Sequence, residues 1–201
     1  MNRQLRQAGD TLVEVLLAMV ILSVIMVGAF TLMTRGATAN ETALEHTQVR
    51  MQLNAQSDML RYLRDTYVNA KAIDAVATTP AAALWQQLIN DSSLVNQTAA
   101  TQSSTCSPQK AAFYINKTFV DGGGADVAIS YKKYNRPNNF VPSTYSQINS
   151  DGTSDGLWIE AVSSSTANPS FVDFIIEACW SPLGIGAQQH SSTLVRLYDA
   201  R

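Results

Sequence analysis

The sequence predicts an α+β protein: one long N-terminal helix, its first half membrane-spanning, packed against a small C-terminal antiparallel β-sheet. Three observations lead there. The 22 residues from Leu12 to Met33 carry one charge, Glu14. Residues 37–69 contain neither Pro nor Gly and are rich in Ala, Leu, Glu, Gln, Met and Arg. From residue 111 onward, short runs alternate apolar and polar side chains with the period of two that a half-buried strand requires. The chain divides accordingly into a polar stretch 1–9, an apolar helix 10–35, its amphipathic continuation 36–70, a short helix and polar loop 71–110, and a sheet 111–201.

At about 1.5 Å per residue, Leu12–Met33 reaches roughly 33 Å, enough to cross a bilayer core. Pro is absent from it, and Gly28 and Gly36 are the places where so long a helix could bend. In the continuation, Leu44, Met51, Ala55, Met59 and Tyr62 share one face, and Val49, Leu53, Leu60 and Leu63 form a broader stripe. Either the two stripes divide between a domain core and neighbouring subunits, or both make one wide core-facing stripe. Pro80 breaks the pattern, and Ala81–Asn90 reads as a short helix burying Leu84, Trp85, Leu88 and Ile89. Residues 91–109, mostly Ser, Thr, Gln and Asn, read as a loop. Strands follow at 111–116, 127–134, 157–162, 171–180 and 193–198. A turn is expected over 121–126, and a long loop opened by Pro182 should join the last two strands as an antiparallel hairpin.

About 165 residues lie beyond the apolar run, sufficient for one ordinary domain. The net charge is −2 and charged residues make up 15% of the chain, with no Lys/Arg run, so nothing signals direct nucleic-acid binding. Arg3 and Arg6 precede the apolar run, which keeps the N-terminus on the cytoplasmic side of a single-pass span and the remainder outside. An ordinary secretory signal has a shorter apolar core and a cleavage site after it. Cys106 and Cys179 are the two cysteines, 73 positions apart. Outside the cell they form either one disulfide, favoured here, or two unpaired thiols.

Arg3, Arg6, Gly9 and the run Asp10-Thr11-Leu12-Val13-Glu14-Val15-Leu16-Leu17-Ala18 resemble the N-terminus of a type IV pilin or pseudopilin precursor, most closely a minor pilin. The resemblance covers about the first 25 residues. It implies removal of leader 1–9 by a prepilin peptidase cutting after Gly9, methylation of the new amine on Asp10, and assembly into a filament with other pilin subunits through the inner-membrane machinery. It also implies a pilin-like fold. Leu12, Val13, Leu16 and Leu17 become helix-packing residues, first in the lipid bilayer and then in an extracellular pilus or pseudopilus. Asp10 departs from the family, whose first mature residue is most often Phe. Its carboxylate adds negative charge where a neighbour's Glu14 would dock, which fits a subunit at a filament tip.

Glu14 carries the assembly chemistry. A carboxylate deep in a bilayer costs about 2.5–3.5 kcal/mol and so requires a partner. The mature N-terminal amine of an adjoining subunit supplies one through a charge-assisted bond, which would make the pair a register device. The alternative is a Glu snorkelling to water. No catalytic motif is present: His46 and His190 are far apart, Gly122–Gly124 lacks the Lys-Ser/Thr of a phosphate loop, and no Gly-x-Ser-x-Gly elbow occurs. An enzyme is therefore not expected, and neither is a cofactor. The weak candidate is calcium held by Asp151, Thr153 and Asp155, although Asp-Gly pairs are ordinary turn chemistry. Two readings remain: a filament subunit of a type IV pilus, secretion or DNA-uptake machine, or a membrane-tethered extracellular binding or adhesion module.

Overall fold

The computed structural model describes residues 10–91, 93, 106–108, 111–120, 126–136, 141–163, 170–182 and 187–198. The fold is α+β, as the sequence predicts. Helix α1 runs Asp10–Ala72 without interruption at Gly28 or Gly36. Helix α2 is Pro80–Asn90, and the strands are β1 Phe113–Val120, β2 Asp126–Lys133, β3 Gln147–Ile148, β4 Ser154–Asp155, β5 Leu157–Ser163, β6 Phe171–Trp180 and β7 Gln189–Tyr198. Five strands form an antiparallel sheet in the order β2-β1-β5-β6-β7, while β3 and β4 pair as a separate hairpin. The chain forms two compact units, Met1–Leu44 and Glu45–Arg201, dividing within α1.

In the second unit, Val49, Leu53, Gln56, Leu60, Leu63, Tyr67 and Ala70 of α1 are buried at successive i+3/i+4 steps. Of the other stripe, Leu44, Met51 and Tyr62 are exposed while Ala55 and Met59 are half-buried, Met59 packing against the core. Trp85, Leu88 and Ile89 of α2 join the core, while Leu84 is only half-buried. Facing them on one side of the sheet are Phe113, Ile115, Leu157, Ile159 and the alternating Val172, Phe174, Ile176, Ala178 and Trp180. Each fully buried side chain of this size contributes about 1.5–3 kcal/mol before chain entropy is subtracted. Trp180 also donates its indole N–H to Glu45 (3.2 Å), and the His46 ring meets it edge-on at 5.0 Å.

Local chemistry sets the ends. After α1, Asp74 adopts φ 55°, while the Ala75 N–H returns to the Ala70 carbonyl (2.8 Å) and the Asp74 N–H to Lys71 (3.3 Å). This is the Schellman arrangement that satisfies terminal carbonyls. Pro80 opens α2, where its missing N–H removes no helical bond.

The strand boundaries differ from the sequence reading by one residue at the ends of β2 and β5 and more substantially elsewhere. β1 begins at Phe113, not Ala111, and continues to Val120 through Asn116-Lys117-Thr118, which shows no apolar alternation. β2 begins at Asp126, one residue earlier than expected, with Val120 as its partner, and the rest of the turn expected over 121–126 lies outside the described residues. β7 begins four residues early because Gln189–Ser192, polar and unreadable by alternation, pair backbone to backbone with β6. The β3–β4 hairpin has strands of two residues each, too short for any periodicity.

β1 meets β5 at a single pair, Phe113↔Ile159. Beyond it, α1 substitutes for the missing strand. Buried Gln56 accepts the Ile115 N–H on Oε1 and donates Nε2 to the Ile115 carbonyl, both at 2.9 Å. Gln56→Leu would strand two buried backbone groups, so a loss of about 2–3 kcal/mol is expected in chemical denaturation of the full-length chain in detergent. An unchanged midpoint would contradict this role for Gln56.

Candidate functional site

Within the first unit, the run Leu12–Met33 consists mainly of apolar side chains, and these are exposed among the described residues. Leu12, Val13, Leu16 and Leu17 are each about three-fifths exposed, and the pattern continues through Phe30 and Met33. By length and composition this is a helix able to cross a membrane. Three polar side chains interrupt Leu12–Met33, and two are satisfied internally. Ser23 donates its hydroxyl to the Met19 carbonyl (2.7 Å) and Thr31 to Val27 (2.8 Å), the i−4 back-bonding that lets hydroxyls sit in an apolar helix. The third is Glu14, exposed and without an ion-pair partner among the described residues. Gly28 has no described atom beyond its own helix backbone within 4 Å of where a Cβ would project, so no contact among the described residues requires a glycine there.

Asp10 is the first residue of α1, which puts Glu14 one helical turn after it. A cut after Gly9 would therefore place the new amine at the helix start. Residues 5–30 match the family model of the prokaryotic N-terminal methylation motif. The chain carries the class III signal of type IV pilins and pseudopilins. That signal implies processing by a prepilin peptidase and assembly with other pilins, and with the apolar helix it fits membrane anchoring. No curated protein and no solved structure matches the chain.

The class III segment contains most of the residues singled out from sequence. Gly9 lies outside the described residues. Glu14, Leu12, Val13, Leu16 and Leu17 lie together in the exposed part of α1. Cys106 and Cys179 form a disulfide with Cα atoms 5.5 Å apart, beside Trp158, Ala112, Tyr134 and Val141 on the sheet face away from the helices. The Tyr134 ring lies 5.5 Å from that of Trp158, and burial pushes the phenol up to about 12.

In the weak calcium candidate, Asp151 Oδ1 accepts the Thr153 N–H (2.8 Å) and hydroxyl (2.7 Å) in a local turn. Asp155 is held by Arg136 and by the Asn149 amide (2.7 Å). These contacts aim the carboxylate oxygens at protein donors. Among the described residues, no group of three or more His, Cys, Asp or Glu is placed to hold a metal. Gly152 and Gly156 turn this region with φ 75° and 67°, and a Cβ on Gly156 would collide with the Cys179 carbonyl.

Sequence reading missed a second polar group on that outer sheet face. Glu160 and Glu177, on adjacent strands, are each 3% exposed. Register sets Glu177 opposite Trp158 and so diagonal to Glu160. Burial, and then the Glu160 charge, push the Glu177 carboxyl up to about 7, an effect that Trp158 partly offsets. His190 Nε2 lies 3.8 Å away, but burial holds the imidazole below its ordinary range, which favours its neutral form. The signal was present: a Glu inside each of two apolar strands.

The folded chain keeps the Glu177 proton to higher pH than the unfolded chain does. Unfolding therefore releases it between about pH 4.5 and 7, so this contribution to stability falls as pH rises through that window and is flat above it. Glu177→Gln is expected to remove that slope and to raise the melting temperature at pH 8 relative to the unaltered protein. Parallel melting curves for the two proteins from pH 5 to 8 would contradict it.

Proposed function

We propose that this chain is a structural subunit, a minor pilin or pseudopilin, of a type IV pilus or a related secretion or DNA-uptake filament, with no catalytic role. The supporting observation is the methylation motif on a helix whose apolar side chains from Leu12 to Met33 stay exposed among the described residues. After cleavage behind Gly9, the amine of Asp10 becomes a cation at the start of α1. Held by the membrane, the helix keeps its apolar face in lipid, with the N-terminus cytoplasmic and the sheet outside. On assembly, the same face exchanges lipid for helices of neighbouring subunits, and Glu14 meets a neighbour's amine. Departure of the partner would leave a buried charge, so subunits settle where the charges meet. Asp10, beside its own amine, weakens the demand for a Glu14 below it and supports a place at the tip.

The competing reading is a tethered adhesion module that uses α1 only as an anchor. Gly9→Val separates the two. A filament subunit would accumulate as uncleaved precursor, lengthened by nine residues and missing from sheared surface fractions. A tether would remain surface-exposed and active in binding with its leader in place. Full-length Gly9→Val protein recovered from filaments at normal abundance would refute the proposal.

A further inference from the structure

The first half of β7, residues 189–193, is weakly anchored. It lies on a sheet edge, and its side chains, all half-buried, contribute nothing to the apolar core. Register sets Gln189, His190, Ser191 and Ser192 against Trp180, Cys179, Ala178 and Glu177 of β6. The second half is fixed better: Val195 and Leu197 are buried, and the Tyr198 carbonyl accepts the Arg64 Nε–H (3.1 Å). An edge segment held mainly by backbone bonds opens at low cost.

This segment borders two ionisable groups. Glu177 is 3% exposed and, among the described residues, pairs with no Lys or Arg. Trp158 stands opposite it on β5 with Glu160 diagonal, and Ser192 opposite it on β7. His190 Nε2 lies 3.8 Å from its carboxylate, too far for a hydrogen bond. That nitrogen is buried and has no hydrogen-bond partner among the described residues. The Cys106–Cys179 bridge lies two residues further along β6. Burial without an opposite charge disfavours the ionised form of both groups.

We propose that Glu177 is a proton lock on the first half of β7: with its proton the carboxyl keeps residues 189–193 paired to β6, and without it the segment releases. Opening brings water to the carboxyl from the β7 side, so the open segment gives up the proton at lower pH than the closed one. Release therefore becomes easier as pH rises from about 4.5 to 7. His190 works in the opposite sense, because its imidazole takes a proton more readily when exposed, which favours opening at acid pH. The carboxyl is the more strongly displaced of the two and sets the net direction. Release uncovers the β6 backbone over residues 177–180. The lock is independent of the filament reading, since it needs only the folded sheet.

The test is amide hydrogen exchange of the full-length chain in detergent micelles from pH 5 to 8, corrected for the intrinsic pH dependence of exchange. Opening of residues 189–193 is expected to increase with pH in the unaltered chain. In His190→Gln, with the opposing group gone, the increase should reach at least about ten-fold over that range. In Glu177→Gln it should vanish or reverse. His190→Gln, at an edge position, decides the matter should Glu177→Gln fail to fold, because its increase must exceed that of the unaltered chain. Opening independent of pH, an increase that survives in Glu177→Gln, one that shrinks in His190→Gln, or exchange at 189–193 as slow as in β5 would overturn the proposal.

Discussion

Glu14→Ala is expected to leave leader cleavage and membrane insertion intact while lowering recovery in sheared filaments by on the order of a hundred-fold. The reasoning is energetic. Inside a filament core, the amine of a neighbouring subunit would have this carboxylate as its partner, and removing one member of a buried pair costs about 3–5 kcal/mol because the other charge is left unpaired. At about 1.4 kcal/mol per factor of ten, that exceeds a hundred-fold in association. Insertion should not suffer, since removing a charge from an apolar run makes transfer into lipid easier. Glu14→Gln divides the effect: it keeps shape and hydrogen bonding but not charge, so it should assemble better than Ala and worse than Glu. Normal abundance of Glu14→Ala in filaments would remove the register role.

The second large effect concerns the Cys106–Cys179 bridge. Replacing both cysteines by Ala is expected to lower the stability of the folded domain by about 4 kcal/mol, read as a reduced denaturant midpoint, because a loop of 73 residues is released in the unfolded state. The loss should be largest where the bridge is anchored. Cys179 is fully buried in β6, its N–H donates to the Gly156 carbonyl (2.7 Å), and its own carbonyl accepts the Ser146 hydroxyl (2.7 Å). Reducing agent should reproduce the effect in the unaltered protein and do nothing to the double variant. A double variant as stable as the oxidised protein would assign the bridge no energetic role.

Much of this was readable from residues because single physical rules dominated. A 22-residue apolar run admits few structures, and the i+3/i+4 spacing of Val49, Leu53, Leu60 and Leu63 points to one helix face. The alternation Val172 to Trp180 set which face of β6 is turned to the helices. What escaped notice depended on distant partners. Gln56 looks like a helix-surface residue in sequence, and only the divergence of β1 from β5 makes it a substitute strand. Gln189–Ser192 have no apolar pattern and become a strand through backbone pairing alone. Glu160 and Glu177 sit on the strand faces opposite the apolar set, yet both are buried, because the outer side of the sheet is covered as well. Of the functional site, the residues were legible and a partner was not: the helix offers only exposed apolar surface among the described residues.

The most direct measurement is the intact N-terminal mass of this chain recovered from sheared surface filaments. A filament subunit begins at Asp10 with a methylated amine, nine residues shorter than the translated chain. A chain that begins at Met1, or one that never enters the sheared fraction while filaments are abundant there, would contradict the assignment.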